Sequence, residues 1–280
     1  MLNSQKQAML GLISYFADPL SKRTISMSAF DEVREQIDWA KMCLDAANVE
    51  ITDYIQNNAF AVLEETDPHT GEHVRKVKLV NPIPISIKGR LRNAILDLRH
   101  SFDMSLHAAA TTCGVSRFDK NFPWADSPTG VRTIIDSWQR KVKTRLPEVI
   151  VNEIFRQEPH STGEGFAGGN DLVREIAKMA NNKHSIGITA SAQVASVHVK
   201  ARLTNVMSFT SMEPWDPVKK ELVISRHIGS ASYDDPAVTG NVFFKRVGRL
   251  GMRPAFPTSM VFYNRAKLCL EGFEAASGIG

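Results

Sequence analysis

The stretch DLVREIAKMANNKHSIGITASAQVASVHVKARLTNV, Asp171 to Val206, decides the fold class, because its hydrophobic spacing changes partway along. Up to His184, the residues Leu172, Ile176 and Met179 recur at steps of four and three, which puts them on one side of a helix. Asn170 or Asp171 stands where a helix cap belongs. Beyond His184, small or apolar residues alternate with polar ones, the period of a strand buried on one face. KELVISRHIG (Lys220 to Gly229) and GNVFFKRVG (Gly240 to Gly248) continue in the same way, each bounded by turn residues.

Working outward, helical signals dominate before this switch and strand signals follow it. Elements segregated in this way predict an α+β class, a helical bundle packed on an antiparallel β-sheet, with three or more strands after the helices. Upstream, Phe30, Val33, Ile37, Ala40, Leu44, Ala47 and Ile51 form one helical stripe, with Ser26 or Ser28 as cap. An early β-hairpin turns at Asp67-Pro68-His69-Thr70-Gly71, where proline fixes one torsion and glycine accepts positive φ. NPIPISI (Asn81 to Ile87) forbids helix until about Ile85, and a long helix then runs to Cys113-Gly114. Shorter helices are expected over about Thr129 to Lys143 and Pro147 to Arg156, flanked by the loops FDKNFPWADSPTG and QEPHSTGEGFAGGN. A C-terminal helix carries Phe262, Ala266, Cys269 and Phe273 as its stripe. Residues 1–25 read as an N-terminal extension and 26–280 as a single α+β domain.

Composition narrows the function classes. With 43% hydrophobic and 23% charged residues among 280, the chain can bury a sizeable core. A net charge of +4 permits a nucleic-acid partner without identifying one. Cys43, Cys113 and Cys269 are scattered and form no CxxC pair, which argues against a disulfide framework or a thiolate zinc site and for a reducing cytoplasm. The apolar run Ala8 to Ala17 lacks the features of a signal peptide, and no stretch approaches the roughly 20 apolar residues that span a bilayer. A soluble cytoplasmic protein is expected. RNA, a partner protein and a second copy of the chain stay open as partners, and no cofactor is indicated.

On the long helix, Leu91, Ile95, Leu98, Phe102, Leu106 and Ala109 share a stripe, while His100, Asp103 and His107 gather on a face roughly 130° away. Arg99 lies between the two faces, four residues before Asp103, the spacing of a helix ion pair. Imidazoles and a carboxylate on one face are also the donors of a divalent metal site, and His100, Asp103 and His107 would need a further ligand such as His184. A polar helix face without metal explains the same residues and is favoured.

GEGFAG, Gly163 to Gly168, matches G-x-G-x-x-G before a helix. No strand precedes it, and no acidic residue falls between Glu175 and Glu213 to hold a ribose, so a loop is the expectation. His69 and His73 read as parts of an exposed turn. The basic clusters Arg75 to Lys78, Arg140 to Arg145 and Lys245 to Arg253 read as solvated faces, with at least one of Phe243 and Phe244 in the core. HExxH, GxSxG, EF-hand and kinase signatures are absent.

LDLRHSFDMSL (Leu96 to Leu106) resembles the central helix of a broad group of uncharacterised bacterial and phage-associated proteins that carry Leu-Arg, three residues, then Asp. The likeness continues through Phe122-Pro123, Leu146-Pro147, Gln157 to Pro159 and Asn181-Asn182-Lys183-His184, and spans about residues 28 to 275. Members often have His where this chain has Leu96 and Met104. The resemblance implies one polar constellation of Arg99, Asp103, Lys183 and His184 between two packed helices. Arginine and histidine on packed helices are also similar to the HEPN superfamily of metal-independent ribonucleases, although seven residues separate Arg99 from His107 where that superfamily has four to six. The leading expectation is a non-catalytic binding or interaction module. A HEPN-like ribonuclease using Arg99 with His184 or His107 is the first alternative, and a metal hydrolase built on His100, Asp103, His107 and His184 the second.

Overall fold

The computed structural model describes residues 28–115, 117–141, 143, 145–181, 190–198, 201–234, 237–244 and 247–278. Its first helix, α1 (Asp31–Asp53), buries the predicted stripe from Val33 to Ile51, with Phe30 buried just ahead of it. Phe30, rather than a serine, occupies the cap position. Ser28 acts two residues earlier: its N–H donates to Asp31 Oδ2 at 2.7 Å and its carbonyl accepts the Asp31 N–H at 2.9 Å. A π-helical turn, Tyr54–Asn58, leads into the hairpin of β1 (Phe60–Thr66) and β2 (His73–Leu79). The Asp67 carboxylate accepts the His69 N–H at 2.9 Å, and Gly71 closes the turn at φ +71°.

Helix α2 (Ile85–Thr112) begins directly after Pro84 and ends at Cys113, followed by Gly114 at φ +82°. Helix α3 (Pro128–Gln139) is capped by Ser127, whose hydroxyl accepts the Gly130 N–H at 3.1 Å. It stops short of the expected Lys143. The Gln139 amide turns the chain by accepting the Leu146 N–H at 2.9 Å and donating to the Leu146 carbonyl at 3.0 Å. Helices α4 (Glu148–Arg156), α5 (Asp171–Asn181) and α6 (Ala255–Ala276) follow, α5 with Asn170 accepting the Val173 N–H at 3.0 Å.

The α2 and α6 stripes meet at an aromatic centre where the Phe102 and Phe262 rings stack at 5.5 Å. Phe122 and Trp124 lie edge-on to Phe102 at 5.3 and 5.0 Å. All six predicted core positions of α2, from Leu91 to Ala109, are buried.

The strands β3 (Ala190–His198), β4 (Ala201–Ser211), β5 (Glu221–Tyr233), β6 (Ala237–Phe244) and β7 (Arg253–Pro254) complete the α+β fold. They do not make one sheet. The early hairpin joins two late strands in the order β1-β2-β5-β4, and a second sheet runs β3-β6-β7, every pairing antiparallel. Val77, Leu222 and Ile224 of the first sheet pack with Val194 and Val197 of the second as a small core of their own. Phe60 touches both cores, and Gly240 on β6 makes room for it: a Cβ there would lie 2.8 Å from the Phe60 ring. Among the described residues no helix is long and apolar enough to cross a membrane.

The basic cluster at Arg75 departs from its expected solvation. Arg75 and Lys76 are buried, because pairing of β2 with both β1 and β5 makes it an interior strand. Lys76 is held by Glu65 at 2.6 Å and Glu221 at 3.2 Å. Phe244 is in the core and Phe243 only partly covered, as the alternation requires. In the other two basic clusters, Val142, Thr144, Lys245 and Arg246 lie outside the described residues.

Candidate functional site

The polar face of α2 lines a groove of about 540 Å³. His100, Asp103, Met104 and His107 supply one wall, Glu32 at the start of α1 another, and the loop Phe118 to Asn121 closes it. His100 and His107 are exposed, a turn apart on either side of Asp103, as helical spacing dictates. His100, Asp103 and His107 therefore do share a groove.

Asp103 is committed elsewhere. Its Oδ1 accepts the Phe122 backbone N–H at 2.6 Å, and its Oδ2 stands 2.7 Å from Arg99 Nη1. The expected i, i+4 pair thus forms, with its arginine buried and its aspartate partly covered. Arg99 is 7% exposed, its guanidinium 5.4 Å from the Trp124 ring, and its Nε and Nη1 find no aligned acceptor. The pair fastens the loop Phe122-Pro123-Trp124 to α2. From the other side, Arg174 on α5 donates to the Ala125 carbonyl at 2.7 Å, and burial pushes its guanidinium pKa down. One turn before His100, burial pushes the Asp97 carboxyl pKa up, against a hydrogen bond from Gln36 and the nearby His100, which pull it down.

Of the constellation Arg99, Asp103, Lys183 and His184, the first two are in contact, and Lys183 and His184 lie outside the described residues. Among the described residues no three His, Cys, Asp or Glu side chains are gathered closely enough to hold a metal ion. Both oxygens of Asp103 already serve an amide and a guanidinium, and the further ligand expected for a metal site, His184, lies outside the described residues.

The GEGFAG loop has its helix terminus filled from within. Asp171, in the first turn of α5, accepts the Thr162 N–H at 3.0 Å and the Thr162 hydroxyl at 2.6 Å, and Arg249 pairs with it at 2.8 Å. These donors, the Thr162 hydroxyl foremost, hold the Asp171 carboxyl below its usual range. Its negative charge sits where a phosphate would otherwise be drawn.

A second polar cluster escaped the sequence reading. Register pairs His73 with His227 and Arg75 with Ser225 across β2 and β5, and the two imidazoles lie 5.3 Å apart. Tyr233 Oη is 3.0 Å from His227 Nδ1 and 2.8 Å from Ser225 Oγ. Six extended residues span about 20 Å, so Tyr233 reaches His227 only because β5 bends, with Gly229 at φ +114°. Burial foremost, then His73, lowers the His227 pKa, with Glu64 opposing. The Ser-x-His-x-Gly alternation of β5 was visible; its pairing with His73, more than a hundred residues earlier, was not.

No protein family, curated protein or solved structure matches this chain.

Proposed function

We propose that the chain is a non-catalytic binding module whose α2 groove accepts a short segment of a partner protein. The observation that carries this reading is the engagement of Asp103: the only carboxylate between His100 and His107 has both oxygens occupied, so the groove is left with a contact surface rather than a catalytic set. Its floor includes Val33, Met104 and Phe118 and its rim Glu32, His107 and Lys120, the apolar centre and polar edge of a recognition groove. Cys43, Cys113 and Cys269 are all unpaired, in keeping with a cytoplasmic setting.

Selection of a displayed random-peptide pool on the purified protein tests the reading. Enriched peptides should share an apolar anchor and lose binding when Thr111→Arg or Met104→Arg narrows the groove, while circular dichroism stays unchanged. Incubation with a mixed RNA pool should leave the RNA intact with and without EDTA. EDTA-resistant cleavage abolished by Arg99→Ala in a folded variant would replace the binding module with a ribonuclease.

A further inference from the structure

We propose that the cavity on the β2–β5 face, under Tyr233, is a binding site for a small phosphate-type oxyanion. It is separate from the α2 groove. Its volume is about 280 Å³, and Thr66, His73, Arg75, His227, Ser230 and Tyr233 contribute to its lining. Since a water occupies about 30 Å³ of liquid, a tetrahedral oxyanion with a small substituent fits.

Arg75 is the anchor. It is 7% exposed, its guanidinium lies over the Tyr233 ring at 4.6 Å, and its Nε has no acceptor. The one carboxylate near it, Glu64, is 3.4 Å from Nη1 and reaches out into solvent. A guanidinium this buried holds little water, and a charge-assisted bond to an oxyanion from the N–H groups it turns to the cavity is a strong one.

The imidazoles supply the rest. Ser225 Oγ, Tyr233 Oη and His227 Nδ1 form a chain of hydrogen bonds. When the Tyr233 hydroxyl donates to Nδ1, the neutral ring carries its proton on Nε2 and can donate it to a ligand. The charged and titratable groups around His227 are His73 and Arg75 on β2, Glu64 on β1 and Tyr233 on its own strand, with Glu65 tied to Lys76 at 2.6 Å. Two carboxylates also line the cavity, but Glu65 is paired with Lys76, so arginine and two imidazoles face Glu64 and favour an anion. A metal is disfavoured, because no three donors converge among the described residues.

Binding is therefore coupled to protons. In the free protein burial, and then His73, disfavour the charged form of His227, so the stability this contributes is present above the ordinary histidine value of 6.5 and is lost as pH falls below it. An anion in the cavity beside the rings reverses the balance by favouring the imidazolium, so affinity rises as pH falls.

The experiment is a titration of the full chain with sulfate, whose charge does not change near neutrality, following the histidine ring signals by NMR. Inorganic phosphate and a small phosphate monoester are run in parallel. The His73 and His227 signals should move while those of His100 and His107 stay, and affinity should be several-fold higher near pH 6 than near pH 8, since only the protonated ring gains from the anion. Arg75→Lys keeps the charge and loses the fork, and should weaken binding by roughly tenfold. Tyr233→Phe, which keeps the ring over Arg75, should fold normally and reduce the pH dependence. Tighter binding of the monoester than of phosphate would assign the site to phosphorylated small molecules, and equal binding to the free anion. Equal shifts at every histidine, no shift at any concentration, or unchanged affinity in Arg75→Lys would overturn the proposal, and none of these results bears on the peptide groove.

Discussion

Asp103 joins two parts of the protein, accepting an amide from the aromatic loop at 2.6 Å and facing the Arg99 guanidinium at 2.7 Å. Removing one member of a buried pair leaves the other charge uncompensated, which costs about 3–5 kcal/mol, whereas removing both costs less than the sum. Urea unfolding of Asp103→Ala should show a loss in that range. The Arg99→Met/Asp103→Ala double variant should recover part of it, and strict additivity would mean the pair is uncoupled. The spacing of Arg99 and Asp103 was legible in the sequence because a helix fixes which residues become neighbours. That Arg99 is buried was not legible, because the cover comes from Trp124 in a loop whose path no local rule dictates.

At the level of elements, periodicity did well wherever one face of a helix meets the core. The stripes of α1, α2 and α6 are buried as their spacing requires, and α2 starts and stops at the proline and glycine signals. It did less well for the strands, since alternation reports that a strand has a buried face but not which strand lies beside it. β2 is the clearest case, an interior strand whose basic residues read as solvated until β5 was placed against it. Gly240 shows the same limit at one position. Its sequence setting gives no hint that the Phe60 ring and the Gln193 carbonyl, at 2.8 and 2.9 Å from an added Cβ, fill the space beside it. Gly240→Ala should therefore lower stability by about 1–3 kcal/mol, the usual cost of overpacking. A melting temperature equal to wild type would show that β6 shifts at no cost.

For the whole molecule, the arrangement of two sheets with a helical bundle raises the question of whether they unfold together. Val242 and Phe244 of the second sheet belong to the helical core, and Phe60, edge-on to Trp215 at 6.2 Å, touches both cores. One cooperative transition is expected, with tertiary and secondary signals in circular dichroism coinciding along a denaturant series. Phe60→Ala should separate them, the loss of sheet preceding the loss of helix. Coincident curves in that variant would place the coupling elsewhere.

The sequence by itself determined the α+β class, the early hairpin, the extents of the long helices and the polar face of α2, because each follows from interactions between residues a few positions apart: helical period, strand alternation, proline and glycine geometry. Only the tertiary structure decided that the strands divide into two sheets, that Arg99 is covered, and that His73 and Arg75 meet His227 and Tyr233 beneath a bent strand. Those outcomes depend on contacts between residues far apart in the chain, where the choice among competing pairings is made by how well whole surfaces pack, a quantity that no short window of sequence contains.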